Sequence, residues 1–137
     1  MLVAELMRKN VRTIGVSKTL ADAVAAMLDN EVSALPVLNR YGKPLGVVTN
    51  REILAATFGG AAGEGRSRSP DMIPIVEFMA PWPPAVEPNT AVSNAARMMS
   101  YLDLKRLFVV EGDTLLGVVS QTDIVDALAT AKYAARV

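Results

Sequence analysis

Apolar residues in the first sixty positions follow two different spacings. In TLADAVAAMLDN they recur every three or four positions, which predicts an amphipathic helix with Thr19 as its N-cap and Asp22 in its first turn. SALPVLN and LGVVT are apolar runs rich in β-branched residues, and NRYGKP between them has the residues of a hairpin turn. With the β-like run VRTIGV before them and the helical pattern REILAATF after them, the predicted order is β-α-β-β-α.

The same order occurs a second time in the chain. LGVV at 45–48 recurs as LGVV at 116–119, and Ile53 recurs as Ile124. Upstream of the hairpin the spacing between copies is 72 residues, and six residues recur at that spacing: Glu5, Met7, Ala23, Met27, Leu35 and Val37 as Glu77, Met79, Ala95, Met99, Leu107 and Val109. An ordered set of matches in one register indicates an internal repeat.

The repeat predicts the fold class and the domain organisation. One such unit is too small to bury both faces of its sheet, so we expect two β-α-β-β-α repeats of an α/β (α+β) fold to pack sheet to sheet with pseudo-two-fold symmetry. The predicted boundaries are 1–60 for the first repeat and 75–137 for the second. The segment 61–74 is rich in Gly, Ser and Pro and is predicted to be a linker.

Composition narrows the classes of function. The 137 residues contain 14 Lys and Arg against 14 Asp and Glu, so nucleic-acid binding, which needs a basic face, is not expected. Without Cys or His the chain lacks thiol nucleophiles, the usual zinc ligands and the commonest general base, so neither an enzyme nor a metal protein is expected. No apolar run is long enough to span a membrane and the N-terminus lacks the form of a signal peptide, so the expected location is the cytoplasm.

Each copy ends with a hydroxyl residue followed three positions later by an acid. These pairs are Thr49 with Glu52 and Ser120 with Asp123. One interpretation is a capping box, in which the hydroxyl caps the following helix and the acid accepts from the N-cap N–H. The other is a ligand site, because a carboxylate suits a ribose diol and a hydroxyl at a helix N-terminus suits a phosphate. The two interpretations are compatible.

The doubled unit, with SALPV in its middle and LGVVT-x-x-E-I at its end, resembles a CBS domain, and the tandem pair resembles a Bateman module. The resemblance covers about residues 4–57 and 76–130 and leaves little else, as in a free-standing CBS pair. It implies a regulatory module that requires no cofactor and binds an adenosine-containing ligand such as AMP, ADP, ATP or S-adenosylmethionine. It also implies a homodimer and a regulated protein partner.

The resemblance implies that a ligand lies between the two copies. Ribose and phosphate contacts would come from Ser120, Asp123, Arg106 and Lys105, with Arg106 preferred to Lys105 because its planar fork suits phosphate. The base slot would be formed by Val11, Arg12, Thr13, Ile14, Val32, Ser33, Ala34 and Pro36. A second, weaker site would use Thr49, Arg51, Glu52, Pro84, Ala85 and Leu104.

Glu52 and the capping-box interpretation keep a second hypothesis open. The family usually holds the diol with Asp, whereas the first copy carries Glu52, whose carboxylate lies one methylene further from the backbone. The apolar residues of the base slot are also explained by core packing. The alternative function is therefore a dimerisation or interaction module that binds no nucleotide.

Overall fold

The structure is a computed structural model that describes residues 1–59 and 68–129. In chain order the helices and strands are α1 (Val3–Leu6), β1 (Ile14–Gly15), α2 (Leu20–Asn30), β2 (Ala34–Leu38), β3 (Pro44–Thr49), α3 (Asn50–Phe58), β4 (Ala80–Pro81), β5 (Ala85–Val86), α4 (Val92–Leu102), β6 (Arg106–Glu111), β7 (Thr114–Ser120) and α5 (Gln121–Leu128). Two 3-10 turns, Pro70–Met72 and Ile75–Glu77, precede β4.

The strands form two sheets of similar design. In the first sheet the order is β1-β2-β3-β4, with β1 parallel to β2 and the other pairs antiparallel. In the second the order is β5-β6-β7, with β5 parallel to β6 and β6 antiparallel to β7. The repeated β-α-β-β-α order and the mixed α/β class predicted from the sequence are confirmed.

The chain divides into two compact units that exchange their leading segments. The first unit is 12–83, and the second unit combines 1–11 with 84–137. The first eleven residues therefore pack with the second repeat, and the residues just before β5 pack with the first. The packing units thus differ from the repeat boundaries 1–60 and 75–137 that the sequence pattern predicts.

Equivalent contacts hold these exchanged segments to their sheets. Arg8 exchanges backbone hydrogen bonds with Val118 of β7, at 2.8 and 3.0 Å, and Ala80 pairs with Val47 of β3 in the other unit. An ideal Cβ on Gly117 would lie 2.8 Å from the Arg8 carbonyl oxygen, so only glycine admits the segment at this distance. Gly117 therefore allows a close approach of the two backbones.

Each unit has its own apolar core. In the unit 12–83, seven buried side chains form the cluster Ile14, Ala23, Met27, Leu35, Val37, Val48 and Ile75. In the other unit the cluster is Val3, Val86, Val92, Ala95, Met99, Leu107, Val109, Val119 and Ile124. The residues repeated in the sequence are thus mostly the residues that the two cores bury.

Part of the predicted linker belongs to the first core. Ile73 and Ile75 are buried, and two backbone hydrogen bonds tie this stretch to the start of α2: Leu20 donates to Ile73, and Ile75 donates to Lys18. The end of the segment predicted as linker is therefore packed structure, since Ile73 lies within 61–74 and Ile75 directly follows it. Residues 60–67, and the continuation of the predicted last helix beyond Ala129, lie outside the described residues.

The helix caps follow the sequence pattern. Thr19 is the N-cap of α2, with its backbone N–H donating to Asp22 at 3.0 Å and its hydroxyl accepting from the Asp22 N–H at 3.3 Å. The hydrogen bonds from Thr19 hold the pKa of Asp22 below its ordinary value. The helices α2 and α4 both end on an acidic residue in the left-handed region, Glu31 and Asp103.

Candidate functional site

The end of β7 and the start of α5 bring Ser120 and Asp123 together. Ser120 is the N-cap: its hydroxyl accepts from the Asp123 N–H at 3.1 Å, and its own N–H donates to Asp123 Oδ2 at 2.9 Å. The capping-box interpretation of this pair is therefore confirmed. The cap also fixes the carboxylate beside the helix N-terminus, where a hydroxyl and the positive end of the helix dipole are close at hand.

A residue that the sequence analysis missed completes this constellation. Arg8, from the exchanged N-terminal segment, donates from Nε to Asp123 Oδ1 at 2.9 Å, and its Nη2 lies 2.9 Å from the same oxygen as an ion pair. The Arg8 side chain is 70% exposed and the Asp123 side chain 9%, so the guanidinium lies on the solvent side of the carboxylate. The two residues are 115 positions apart, and only the exchange of segments brings them into contact.

The charge of Asp123 is stabilised by these neighbours. Burial by itself raises the pKa of Asp123, but hydrogen bonds from the Ser120 N–H, the Arg8 guanidinium and the Ser120 hydroxyl outweigh it, so the pKa lies below its ordinary value. The group is therefore a carboxylate at neutral pH and accepts hydrogen bonds only.

Arg106 lies on the neighbouring strand, directly opposite Ser120 in the β6–β7 register. Its side chain is half-buried, and burial lowers its pKa, although an arginine so placed still carries its charge at neutral pH. Lys105 comes just before the strand and is exposed. Its backbone carbonyl accepts from the Gln121 N–H at 3.0 Å, which ties the first turn of α5 to the start of β6.

Thr49 and Glu52 of the first repeat form the same kind of capping box, but the residues around it differ. Glu52 Oε1 accepts both the backbone N–H and the hydroxyl of Thr49, each at 2.7 Å, so the longer side chain folds back onto the cap. At the position equivalent to Arg8 the first unit has Ala80, which carries no charge. Arg51 and Glu52 line a groove of about 420 Å³ beside Phe78.

The predicted base-slot residues fall in both units. Val11 belongs to the unit that contains β7, and the other seven belong to the unit 12–83. Ile14 and Pro36 are buried, and Ile14 is part of a core cluster, so core packing accounts for its burial. The remaining six are half-buried or exposed: Val11, Arg12, Thr13, Val32, Ser33 and Ala34.

The residues of the predicted second site are divided in the same way. Thr49, Arg51 and Glu52 are in the unit 12–83, whereas Pro84, Ala85 and Leu104 belong to the other. Assignment of either set to a ligand stays a prediction.

Within 1–59 and 68–129 no group of three or more acidic residues is placed to hold a metal ion. Over the same residues, every helix is too short or too polar to cross a membrane.

The sequence matches a known family twice. The model of the CBS domain matches residues 3–59 and again residues 75–130, which together are most of the chain. Among relatives, the uncharacterized protein MJ1404 of Methanocaldococcus jannaschii is 32% identical over 98% of this chain, which spans 34% of that relative. The CBS domain-containing protein YhcV of Bacillus subtilis is 27% identical over 89% of this chain and 81% of its own length.

Solved structures give the same result. CBSX2, solved in complex with AMP, has a TM-score of 0.81 and 25% identity, covering 96% of this chain and 98% of the other. The hexameric CBS-CP12 protein from bloom-forming cyanobacteria has a TM-score of 0.71 and 32% identity, covering 91% of this chain and 69% of the other. With two β-α-β-β-α repeats, matching cores and two matches to one family, the chain belongs to the CBS domain family as a tandem pair.

Proposed function

We propose that this chain is a regulatory module that binds an adenosine-containing ligand such as AMP, ADP, ATP or S-adenosylmethionine. The observation that carries the proposal is the Asp123 carboxylate, fixed beside the Ser120 hydroxyl at the start of α5. The AMP complex of CBSX2, which is similar to this chain along nearly its whole length, supports the choice of ligand class.

The chemistry of the second unit suits a nucleotide. A charged carboxylate accepts the two O–H donors of a ribose diol. Arg106, opposite Ser120 on the neighbouring strand, offers a half-buried cation to a phosphate, and Lys105 adds an exposed one. These roles are binding roles. The proposed output is a change of shape or stability that a regulated protein partner senses.

The first repeat is proposed to supply the base contacts that the family resemblance implies. Among these residues Val32 and Ala34 are half-buried, and backbone groups near Arg12 and Ser33 would read the polar edge of the base. We propose no equal role for the first repeat's own acid. Glu52 turns back onto its cap, and the position equivalent to Arg8 is the uncharged Ala80, so the Glu52 site is expected to be the weaker.

The test is isothermal calorimetry of the full chain with AMP, ATP and S-adenosylmethionine, repeated on Asp123→Ala. Because this substitution also removes the carboxylate of a capping box, Asp22→Ala is the matched control: it removes the equivalent carboxylate from the capping box of α2, where no ligand contact is proposed. We expect Asp22→Ala to retain wild-type affinity and Asp123→Ala to lose most of it. Undiminished binding to Asp123→Ala would contradict the site, and absence of binding to wild-type protein would contradict the function.

A second candidate function is self-association without a nucleotide. Leu54 on α3 and Val125 on α5 occupy equivalent positions in the two repeats and are 58% and 62% exposed. Phe58 and Tyr101 add further exposed apolar surface on α3 and α4. Exposed apolar side chains at repeated positions are typical of an interface, and the hexameric CBS-CP12 protein shows that a relative of this fold assembles.

We propose that a second copy of this chain covers these helices and forms a homodimer. Multi-angle light scattering of Leu54→Glu/Val125→Glu is expected to give a monomer where wild-type protein gives a dimer. Asp29→Lys, an exposed charge change on α2, is the control and should remain dimeric. A dimer that binds no adenosine ligand would favour this candidate over the first.

A further inference from the structure

Arg8 occupies the oxygen that a diol would need. Its Nε donates to Asp123 Oδ1 and its Nη2 lies 2.9 Å from the same oxygen, while Oδ2 accepts from the Ser120 N–H. A ribose diol brings two O–H donors, and the cap already takes part of the capacity of Oδ2. If a diol binds this carboxylate with both hydroxyls, the guanidinium therefore has to leave Oδ1.

The geometry allows the side chain to leave without unfolding the segment. The Arg8 backbone is held by two hydrogen bonds to Val118 that do not involve the side chain. Because Gly117 has no side chain, the segment can lie close against β7. The side chain is 70% exposed, and an ion pair so open to water contributes little to stability. The pair is thus strong enough to orient the arginine and weak enough for a ligand to displace.

The displaced cation would stay near the ligand. The Arg8 Cα remains fixed on the edge of β7, and its long flexible side chain can swing from the carboxylate to a group on the same sugar. A 5′-phosphate is such a group, and its oxygens match the fork of donors that Arg8 releases from Asp123. A cationic group at that place, such as a sulfonium, would instead be repelled.

We propose that Arg8 is a displaceable counterion of Asp123, which transfers to the phosphate when the ribose diol takes the carboxylate. This inference rests on the proposed function and deepens it: the site in the second unit selects anionic adenosine ligands over neutral or cationic ones. In the unit 12–83 the position equivalent to Arg8 is Ala80, which carries no charge, so we propose this selection for the Asp123 site and not for the Glu52 site.

The experiment compares AMP with adenosine by calorimetry on wild-type protein, Arg8→Met and Lys9→Met. Met preserves the apolar stem of Arg8 and removes its charge, and Lys9→Met makes the same change of net charge at the neighbouring exposed position. We expect wild-type protein and Lys9→Met to prefer AMP to adenosine by about tenfold or more, and Arg8→Met to lose about tenfold of that preference. Adenosine should bind Arg8→Met at least as well as wild-type protein, since the carboxylate is no longer occupied.

The outcomes separate the two proposals. If wild-type protein binds both ligands and Arg8→Met retains the full preference for AMP, the counterion role is wrong while the proposed function stands. If wild-type protein binds neither AMP nor adenosine, the counterion role is wrong, and if ATP and S-adenosylmethionine also fail to bind, the proposed function is wrong as well. Equal loss of preference in Lys9→Met and Arg8→Met would show a general effect of charge and would also overturn the specific role of Arg8.

Discussion

Replacing Gly117 with alanine tests whether the exchanged N-terminal segment is held against β7 as the structure describes. The new Cβ would lie 2.8 Å from the Arg8 carbonyl oxygen, 0.6 Å short of the 3.4 Å of ordinary contact, and 3.0 Å from Met7 Sδ. The methionine can move its side chain. The carbonyl cannot move alone, because Arg8 is tied to Val118 by hydrogen bonds of 2.8 and 3.0 Å.

The expected magnitude follows from two opposing effects. Overpacking a close contact costs about 1–3 kcal/mol, and replacing glycine by alanine recovers about 0.4–1 kcal/mol from the unfolded chain. We expect a net loss of about 1–2 kcal/mol in the free energy of unfolding, which corresponds to a fall in Tm of roughly 3–10 °C for a chain of this size. Urea unfolding followed by circular dichroism measures the difference, with the slope m checked for constancy.

Gly15 provides the matched control. An ideal Cβ there meets nothing closer than 4.0 Å, so Gly15→Ala should be neutral or slightly stabilising. If Gly117→Ala proves as stable as Gly15→Ala, the close approach of the N-terminal segment to β7 is wrong. The contact between Arg8 and Asp123, which depends on that approach, would then be wrong as well.

Three further predictions concern other parts of the fold. Ile75→Ala should cost about 2–5 kcal/mol in urea unfolding, because the side chain is fully buried in the first core, whereas Val76→Ala, at a 57% exposed position, should change stability by less than about 0.5 kcal/mol. Thr19→Ala should cost about 1 kcal/mol in the same assay through loss of the α2 cap, and no change would contradict the capping assignment. The pKa of Asp123 is lower in the folded protein than in the unfolded chain, so its carboxylate stabilises the fold above the unfolded pKa of about 3.9, and this stabilisation is lost as the pH falls through the folded pKa. The difference in free energy of unfolding between wild-type protein and Asp123→Asn should therefore shrink from pH 6 to pH 2. A difference that grows over this range would refute the direction of the pKa shift.

Local patterns predicted the elements of each repeat. The apolar spacing in TLADAVAAMLDN predicted one face of α2, of which Leu20, Ala23 and Met27 are buried, whereas Leu28 on the same predicted face is 72% exposed. Thr19 was predicted as the cap because a cap depends on residues close together in the sequence. The internal repeat then predicted the same order of helices and strands in the second half of the chain. The pattern did not predict α1 or β4, since each is short and is stabilised by packing on a distant sheet rather than by its own periodicity.

The candidate site was predicted only in part. Ser120 and Asp123 are three residues apart, and their cap is readable from that spacing. Arg8 was missed because its partner is 115 positions away and because the segment that carries it packs with the other repeat. The sequence signal for this contact is a repeated glycine. Gly46 and Gly117 stand at equivalent positions in the two repeats, and each leaves room for the backbone of a leading segment to pass close by.

The most direct test of the proposed site is a calorimetric comparison of AMP with 2′-deoxy-AMP on wild-type protein and on Asp123→Asn. A hydrogen bond to a charged group contributes about 1.5–3 kcal/mol, so wild-type protein should prefer AMP by about ten- to a hundredfold. Asp123→Asn should bind both ligands with nearly equal affinity. A wild-type protein that binds AMP and 2′-deoxy-AMP equally well, or a preference that survives in Asp123→Asn, would contradict the role of this carboxylate in holding the ribose.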